Sequence, residues 1–139
     1  EFYDKKEVGQ LGISNCYDLD VLKYLFNNAK IKPSIVQNRF YAQSGYDKEI
    51  RAFCKENSIT YESFWSLTAN PNILSSEVLE NLAIKYQRGV AGIFYRFLNH
   101  IDIVPLNGTT SLKHMIEDLK IGEFELTNDE IEEISKFIK

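Results

Sequence analysis

The sequence predicts a parallel α/β fold made of four strand-helix units. Two observations support this prediction. Four times a short apolar run ends in a polar cluster and is followed by a helical pattern. The second run, Ile35 and Val36, is too short and too apolar to be a half-exposed strand. Four units are half the number that closes a (β/α)8 TIM barrel. We expect residues 1–139 to form a single domain.

Composition narrows the class of protein. The 139 residues, 44% of them apolar, suffice for one domain with a substantial core. The basic residues are scattered and the formal charge is −4, which argues against nucleic acid as a partner. No stretch reaches the roughly 20 apolar residues of a membrane span, and residues 1–6 lack a signal-peptide core. We expect a protein of the cytoplasm or another reducing compartment, with Cys16 and Cys54 as free thiols and no metal site.

Four apolar runs have the length and composition of buried strands. They lie at residues 11–13, 35–36, 59–64 and 101–106. Each run ends in a cluster of polar, aromatic or small residues: Ser14 and Asn15, then Gln37 and Asn38, then Phe64, Trp65 and Ser66, and last residues 108–111. We expect all four clusters to line one shared site, because the carboxyl ends of parallel strands meet at one edge of the sheet.

Each strand is followed by an amphipathic pattern that predicts a helix. Residues that favour the N-cap position precede three of these helices, namely Asp18, Asp47 and Ser111, and a fourth helix is expected to begin near Ser75 and Ser76. Apolar residues recur at helical spacing on the predicted inner faces: Leu19, Leu22, Phe26 and Ala29; Ile50, Phe53 and Cys54; Val78, Leu79, Leu82 and Tyr86; Phe94, Phe97 and Leu98; Met115, Ile116 and Leu119. A long loop around Pro71 follows the third strand. Thr127 and Glu130 form a capping-box pattern for a C-terminal helix.

The order of the clusters resembles that of the aldo/keto reductase family. The matching segments run through nearly the whole chain: residues 12–15, Lys32 and Pro33 with Gln37, residues 63–67, Val104 and Pro105 with Thr109 and Thr110, then Glu117, Asp118 and residues 124–131. Each segment alone is common, since a Ser-Asn pair ends many strands and a Phe is often a core residue. The ordered set is specific. It implies the second half of a (β/α)8 barrel, with strands five to eight, their helices and a C-terminal helix.

The resemblance implies a site for the nicotinamide end of NADPH. Ser14, Asn15 and Gln37 match the family residues that hydrogen-bond the nicotinamide carboxamide, a group that needs both donors and acceptors. Phe64 matches the aromatic residue, usually Tyr, that stacks on the nicotinamide ring. Two further residues would border the loop around the pyrophosphate: Trp65 and Leu67.

The adenosine end departs from the family pattern. The family places a Lys, a Ser or Thr, and an Arg around the ribose 2′-phosphate, whereas this chain has Gly108, Thr109 and Thr110, with His114 at the Arg position. A neutral His is a poorer phosphate partner than Arg, so NADH remains possible beside NADPH. His114 is equally compatible with a solvent-facing helix position. Two residues match the positions that meet the adenine: Glu117 and Asp118.

The resemblance places the catalytic Tyr, Lys, Asp and His of the family at the ends of the first four strands, which this chain does not contain. We therefore expect the cofactor-binding half of an NAD(P)H-dependent oxidoreductase that reduces aldehydes or ketones to alcohols. Its partner would be the missing N-terminal half, in the same or another chain, or a second copy. The alternative is a catalytically inactive half-barrel that serves as a structural or assembly subunit. The substrate cannot be read from these residues.

Overall fold

A sheet of four parallel strands forms the centre of the computed structural model, which describes residues Glu1–Lys139. The strands lie in sequential order: β1 (Gly12–Ser14), β2 (Ile35–Arg39), β3 (Thr60–Phe64) and β4 (Ile103–Pro105). Each connection between neighbouring strands contains at least one helix, as parallel pairing requires. The predicted parallel α/β fold is therefore confirmed.

Seven α-helices accompany the sheet. Their bounds are α1 (Leu19–Asn28), α2 (Lys48–Glu56), α3 (Pro71–Leu74), α4 (Glu77–Tyr86), α5 (Val90–His100), α6 (Leu112–Leu119) and α7 (Asn128–Ser135). The side chains of Asp18, Ser76 and Ser111 accept backbone hydrogen bonds at the starts of α1, α4 and α6, as predicted. Thr127 and Glu130 form the predicted capping box of α7. None of the helices is long and apolar enough to cross a membrane.

All four strands have bounds that differ from the prediction, by one residue at each end of β1, by one residue at the start of β3, and by more in β2 and β4. β2 continues past Gln37 to Arg39, because all five of its residues pair with β3. The fourth strand begins at Ile103, two residues later than expected. Ile101 is still the C-cap of α5, and Asp102 turns the chain with a φ of 60° before β4 begins. Gln37 is therefore a residue within a strand, where strict alternation of side chains applies.

Alternation gives the sheet two faces with different environments. One face packs against helices, and its residues are buried: Val36, Asn38, Tyr61, Ser63 and Ile103. The other face, called the open face below, has no buried residue: Gly12, Ser14, Ile35, Gln37, Arg39, Glu62, Phe64 and Val104. The core of the chain therefore lies between the sheet and its helices, and the open face remains accessible.

Two predictions about polar residues are wrong for one shared reason. Asp47 occupies the N-cap position of α2, but its φ is 51° and its side chain makes no capping hydrogen bond. The side chain is buried instead and accepts hydrogen bonds from Nδ2 of Asn38 and from the hydroxyl of Tyr61, at 2.7 and 2.8 Å. A buried carboxyl group needs such donors. Asn38 supplies one and therefore lies behind the sheet, not in the shared site.

The segment after β3 also turns inward. Ser66, which the sequence predicts in the shared site, is buried, and its hydroxyl hydrogen-bonds that of Ser63 at 2.8 Å. Nδ2 of Asn70 donates to the carbonyls of Phe40 and Ser66 at 2.8 and 2.9 Å, and the short helix α3 begins directly after it. The predicted long loop is therefore a compact, internally bonded turn. Ser66 stabilises this turn and does not line the site.

Apolar surface remains uncovered at both ends of the sheet. β1 and β4 each pair with one neighbour only, so each has a free edge. In the helices that follow β1 and β4 in sequence, Tyr24 of α1 is 69% exposed and Leu119 of α6 is 86% exposed. The sequence predicts that α6 packs against the core through Met115, Ile116 and Leu119. This prediction is wrong, because no residue of α6 is buried. The periodicity is present, but nothing in this chain covers it.

We expect Tyr61→Phe to lower the free energy of unfolding by about 1–2 kcal/mol, because the buried Asp47 then loses one donor. Tyr95→Phe is the matched control, since Tyr95 is also buried and its hydroxyl makes no hydrogen bond within the chain. For the control we expect a change below about 0.5 kcal/mol. Urea denaturation followed by circular dichroism measures both. Equal losses in the two variants would contradict the role given to the Tyr61 hydroxyl.

Glu130 connects α7 to α4 through a nearly buried carboxylate. Its oxygens accept hydrogen bonds from Nζ of Lys85 at 2.6 Å, the hydroxyl of Tyr86 at 2.7 Å and the backbone N–H of Thr127 at 2.7 Å. Burial raises the pKa of Glu130, but these hydrogen bonds outweigh burial and lower the pKa to about 2. The carboxylate therefore stabilises the fold at pH values above the ordinary pKa of 4.5. That contribution is lost as the pH falls from about 4.5 toward 2.

We predict that Glu130→Gln lowers the stability at neutral pH by about 1–3 kcal/mol, since three donors lose a charged acceptor. The variant also loses the part of the acid sensitivity that the depressed pKa causes. Glu133→Gln is the control, because Glu133 is exposed on the same helix and makes no side-chain hydrogen bond. Thermal unfolding at pH 7 and pH 3 tests both. If Glu130→Gln kept the acid sensitivity of the wild type, the role given to Glu130 would be wrong.

Candidate functional site

The residues predicted for the nicotinamide end lie together at the carboxyl ends of three adjacent strands. Ser14 pairs in register with Gln37, and the backbone N–H of Asn15 donates to the carbonyl of Gln37 at 3.0 Å. Phe64 ends β3 on the same open face, two residues beyond the partner of Gln37. All four side chains are exposed or half-buried, so a ligand can reach them. The structure thus brings these four residues into one group.

The hydrogen bonds within this group leave a defined set of free donors and acceptors. Nδ2 of Asn15 donates to Oγ of Ser14 at 2.9 Å, which leaves the hydroxyl proton of Ser14 free to donate. Nε2 of Gln37 donates to Oε2 of Glu62 at 2.8 Å, which leaves Oε1 of Gln37 as an acceptor. A primary carboxamide offers one carbonyl acceptor and two N–H donors. The free hydroxyl proton of Ser14 is suited to the carbonyl of such a group, and the free Oε1 of Gln37 is suited to its N–H donors.

The backbone is strained directly after two of these strands. Asn15 follows Ser14 with a φ of 57°, and Trp65 follows Phe64 with a φ of 58°. Asn adopts the left-handed region comparatively often, whereas a bulky aromatic residue rarely does. Strain of this kind costs of order 1 kcal/mol or more and is concentrated at binding sites. Two strand ends of the candidate site therefore share the same unusual turn.

A buried clamp fixes the turn after β1. Oδ1 of Asn38 accepts from the backbone N–H of Cys16 at 2.9 Å, and Nδ2 of Asn38 donates to the carbonyl of Cys16 at 2.7 Å. Cys16 follows Asn15 directly, and Asn38 follows Gln37. The clamp behind the sheet therefore sets the distance between the segments that carry Ser14 and Gln37 in front of it. Asn38 positions the site without lining it.

Residues predicted for the adenosine end line a separate cavity of ≈ 560 Å³. It lies where the start of α5, the turn after β4 and the helix α6 meet. Six of the predicted residues form part of its wall: Leu67, Gly108, Thr109, His114, Glu117 and Asp118. Thr110 is exposed and does not line this cavity, and neither does Trp65, which is 56% exposed beside Arg39.

Asp118 is the most constrained polar residue of this cavity. One of its oxygens accepts from Nδ2 of Asn107 at 2.7 Å, so the turn after β4 is tied to α6. Burial raises the pKa of Asp118; the nearby His114 opposes this rise and Glu117 adds to it. His114 is exposed, as expected for a solvent-facing helix position, and it also lines the cavity.

Few free cations face this cavity. Two basic residues that the sequence reasoning missed contribute to its wall, Arg88 and Lys120. Arg88 is already paired with Glu123 at 2.9 Å, whereas Lys120 makes no ion pair. The hydroxyl of Thr109 accepts from the backbone N–H of Ser111 at 3.1 Å, which leaves its proton free to donate. The cavity therefore offers a phosphate one cation without an ion pair, Lys120, and one free hydroxyl donor.

Two charged residues on the open face were also missed. Glu62 lies two residues before Phe64, and Arg39 lies two residues after Gln37. The sequence contained the information needed to find them, because every second residue of a strand lies on the same face of the sheet. Applying that rule to Gln37 and Phe64 would have found both. The candidate site therefore carries one carboxylate and one guanidinium beside Ser14, Gln37 and Phe64.

Curated proteins and solved structures match this chain over nearly its whole length. No family model matches the chain. The chain is 28% identical over 139 residues to glyoxal reductase of Bacillus subtilis, a match that covers 100% of this chain and 49% of that protein. It is 28% identical over 129 residues to aldose reductase B of Dictyostelium discoideum, covering 92% of this chain and 41% of that protein. The chain thus spans about half the length of the curated relatives it matches.

Solved structures match over the same extent. An aldo-keto reductase from a Medee basin deep-sea metagenome library has a TM-score of 0.86 at 24% identity, covering 97% of this chain and 50% of that one. An aldo-keto reductase complexed with NADPH has a TM-score of 0.82 at 18% identity, covering 96% of this chain and 43% of that one. These structures share the fold of the chain. In sequence and in fold, the chain corresponds to the C-terminal half of the aldo-keto reductases, a half-barrel of four strand-helix units.

Proposed function

We propose that this chain is the cofactor-binding half of an NAD(P)H-dependent oxidoreductase that reduces aldehydes or ketones to alcohols. One observation carries the proposal: Ser14, Gln37 and Phe64 lie on one face at the carboxyl ends of adjacent strands. The names of the relatives, a glyoxal reductase and an aldose reductase, support carbonyl reduction. The NADPH complex of one structural neighbour supports a dinucleotide as the cofactor.

The chain's own residues would bind and orient the nicotinamide. Ser14 would donate to the carboxamide oxygen, and Oε1 of Gln37 would accept from the carboxamide nitrogen. Phe64 would pack on one face of the ring, so that only the other face is presented to a substrate. When bound, the dinucleotide supplies a hydride. Fixing both the rotation and the exposed face of its ring is the contribution of these three residues.

The adenosine end would occupy the cavity beside α6. Glu117 and Asp118 would meet the adenine, and Thr109 with His114 would lie near the ribose. Leu67 would cover the connection to the pyrophosphate, and Trp65 would border it. Thr110 stays a predicted contact on the rim of this region. NADPH is the proposed cofactor, with NADH as the second possibility because the cavity offers few free cations.

The proton donor and the rest of the barrel would come from a complementing half. The free edges of β1 and β4 and the uncovered apolar side chains of α1 and α6 are where that half would attach. We propose the missing N-terminal half, in the same or another chain, as the partner. A second copy of this chain is the other candidate. A reducing intracellular compartment stays a prediction.

A structural or assembly subunit is the second candidate function. The observation that favours it is the weak phosphate end: residues 106–112 contain no Lys or Arg, and Arg88 is already paired. Under this alternative the half-barrel would bind no dinucleotide. Cofactor binding therefore distinguishes the two functions.

We expect NADPH, and more weakly NADH, to change the fluorescence of Trp65, the only tryptophan, in a saturable way. Gln37→Leu should weaken binding roughly tenfold, because the carboxamide then loses one hydrogen-bonding partner. Fluorescence titration of the purified chain measures both effects.

Gln10→Leu serves as the control for this titration, since Gln10 is exposed and precedes the amino end of β1, whereas the site lies at the carboxyl ends of the strands. It should bind as the wild type does. Absence of any saturable change with either dinucleotide would overturn the cofactor proposal and leave the structural subunit. Equal affinities for Gln37→Leu and the wild type would refute the role given to Gln37.

We also predict that His114→Arg shifts the preference toward NADPH by roughly tenfold relative to NADH, because an arginine can bind a 2′-phosphate with two hydrogen bonds. Leu112→Arg is the control. It adds the same charge to an exposed position of α6 that does not line the cavity. The ratio of the two dissociation constants is the readout. The same shift in both variants would mean that overall charge, and not the position of His114, determines the preference.

A further inference from the structure

One of the four arginines, Arg39, has neither an ion pair nor a side-chain hydrogen bond. Nε of Arg51 donates to the carbonyl of Tyr46 at 2.8 Å. The Nε atoms of Arg88 and Arg96 are unbonded, but both guanidinium groups pair with glutamates. Arg39 is half-buried, has an unbonded and buried Nε, and makes neither an ion pair nor a side-chain hydrogen bond. A partly desolvated cation without an acceptor is costly, which points to an acceptor from outside the chain.

The guanidinium of Arg39 is held between aromatic rings. Its central carbon lies 3.9 Å from the ring centroid of Trp65 and 5.3 Å from that of Tyr41. Such contacts stabilise the cation but leave its charge and its N–H donors available. Trp65 takes part in this arrangement despite its left-handed φ of 58°, a conformation that a bulky residue adopts only at a cost. The strained turn after β3 therefore serves to place a ring beside Arg39.

The surroundings of Arg39 favour an anion. It borders an open cavity of ≈ 710 Å³ whose other lining residues are Tyr41, Gln43, Trp65, Thr68 and Ala69, none of them acidic. Glu62, the acid on the same face of the sheet, is already engaged by Gln37. Gln43 and Thr68 add neutral hydrogen-bonding groups to this wall. An anion placed here would meet one free guanidinium and no competing carboxylate.

The position of Arg39 identifies the anion as a phosphoryl group. Arg39 pairs in register with Phe64, the residue proposed to stack on the nicotinamide. In a dinucleotide the pyrophosphate is one ribose away from that ring. The turn after β4 offers no Lys or Arg to neutralise it. A guanidinium forms paired hydrogen bonds with phosphate oxygens, which suits it to this task.

We propose that Arg39, supported by Trp65, forms a phosphoryl-binding site that takes the pyrophosphate of the dinucleotide. The assignment to the dinucleotide rests on the proposed function, whereas the binding of a free pyrophosphate ion does not. Arg39 would provide the positive charge that the turn after β4 lacks. Because Arg39 and Gln37 both belong to β2, one strand would bind two parts of the same cofactor.

The test uses inorganic pyrophosphate and NADPH as separate probes of the purified chain. Fluorescence of Trp65 and titration calorimetry provide two independent readouts. We expect Arg39→Gln to weaken the binding of both probes at least roughly tenfold. Arg39→Lys keeps the charge but loses the paired geometry, so it should fall between Arg39→Gln and the wild type. Circular dichroism of each variant establishes that it is folded.

Lys32→Gln is the matched control. Lys32 also carries a positive charge beside an aromatic ring, with Nζ 4.3 Å from the centroid of Phe26, but it lies before the amino end of β2. It should bind both probes as the wild type does. Equal weakening in Arg39→Gln and Lys32→Gln, or no pyrophosphate binding by the wild type, would overturn the site. If the wild type binds pyrophosphate through Arg39 but does not bind NADPH, the site stands and the proposed function fails. If NADPH binds equally to the wild type and Arg39→Gln, the assignment to its pyrophosphate fails and the proposed function stands.

Discussion

The three hydrogen bonds made by the side chain of Asn38 are the constraint on which the site depends. Two of them hold the backbone of Cys16 and the third holds Asp47, which in turn is bonded by Tyr61. One buried amide therefore links the ends of β1 and β2, the start of α2 and the strand β3. Because the amide is fully buried and all three hydrogen bonds are made, it specifies one geometry. The relative placement of Ser14 and Gln37 follows from that geometry.

The two faces of β2 divide structural and binding roles between neighbouring residues. Asn38 faces the helices, and Gln37 and Arg39 face the opening of the half-barrel. A rigid back surface reduces the conformational freedom that a binding group in front would otherwise lose on contact with a ligand. The strained turns at Asn15 and Trp65 are tolerated for the same reason, because the clamp and the compact turn after β3 hold the chain on either side of them.

The sequence predicted those features of the fold that depend on interactions between residues close in the chain. The caps at Asp18, Ser76 and Ser111 and the order of the parallel strands depend on neighbouring residues and on periodicity. Asp47 was misplaced because tertiary donors compete successfully for its carboxyl group. The exposed face of α6 shows a different limit, since a hydrophobic period indicates that a face packs but not which chain covers it. Within the site, Ser14, Gln37 and Phe64 came together as expected, while Arg39 and Glu62 required the register of β2 and β3.

Glu62 restricts which first halves can be combined with this second half. On the open face it is half-buried and bonded to Gln37, so water still solvates its other oxygen. Closing a barrel over it would remove that water, and the incoming half must then offer a hydrogen-bond donor or a cation at the same height. A half with only apolar side chains at that position would leave the Glu62 carboxylate buried without a further hydrogen-bond donor. Chimeras assembled from halves of different relatives would therefore succeed or fail on one polar contact inside the barrel, even when their outer helices pack well.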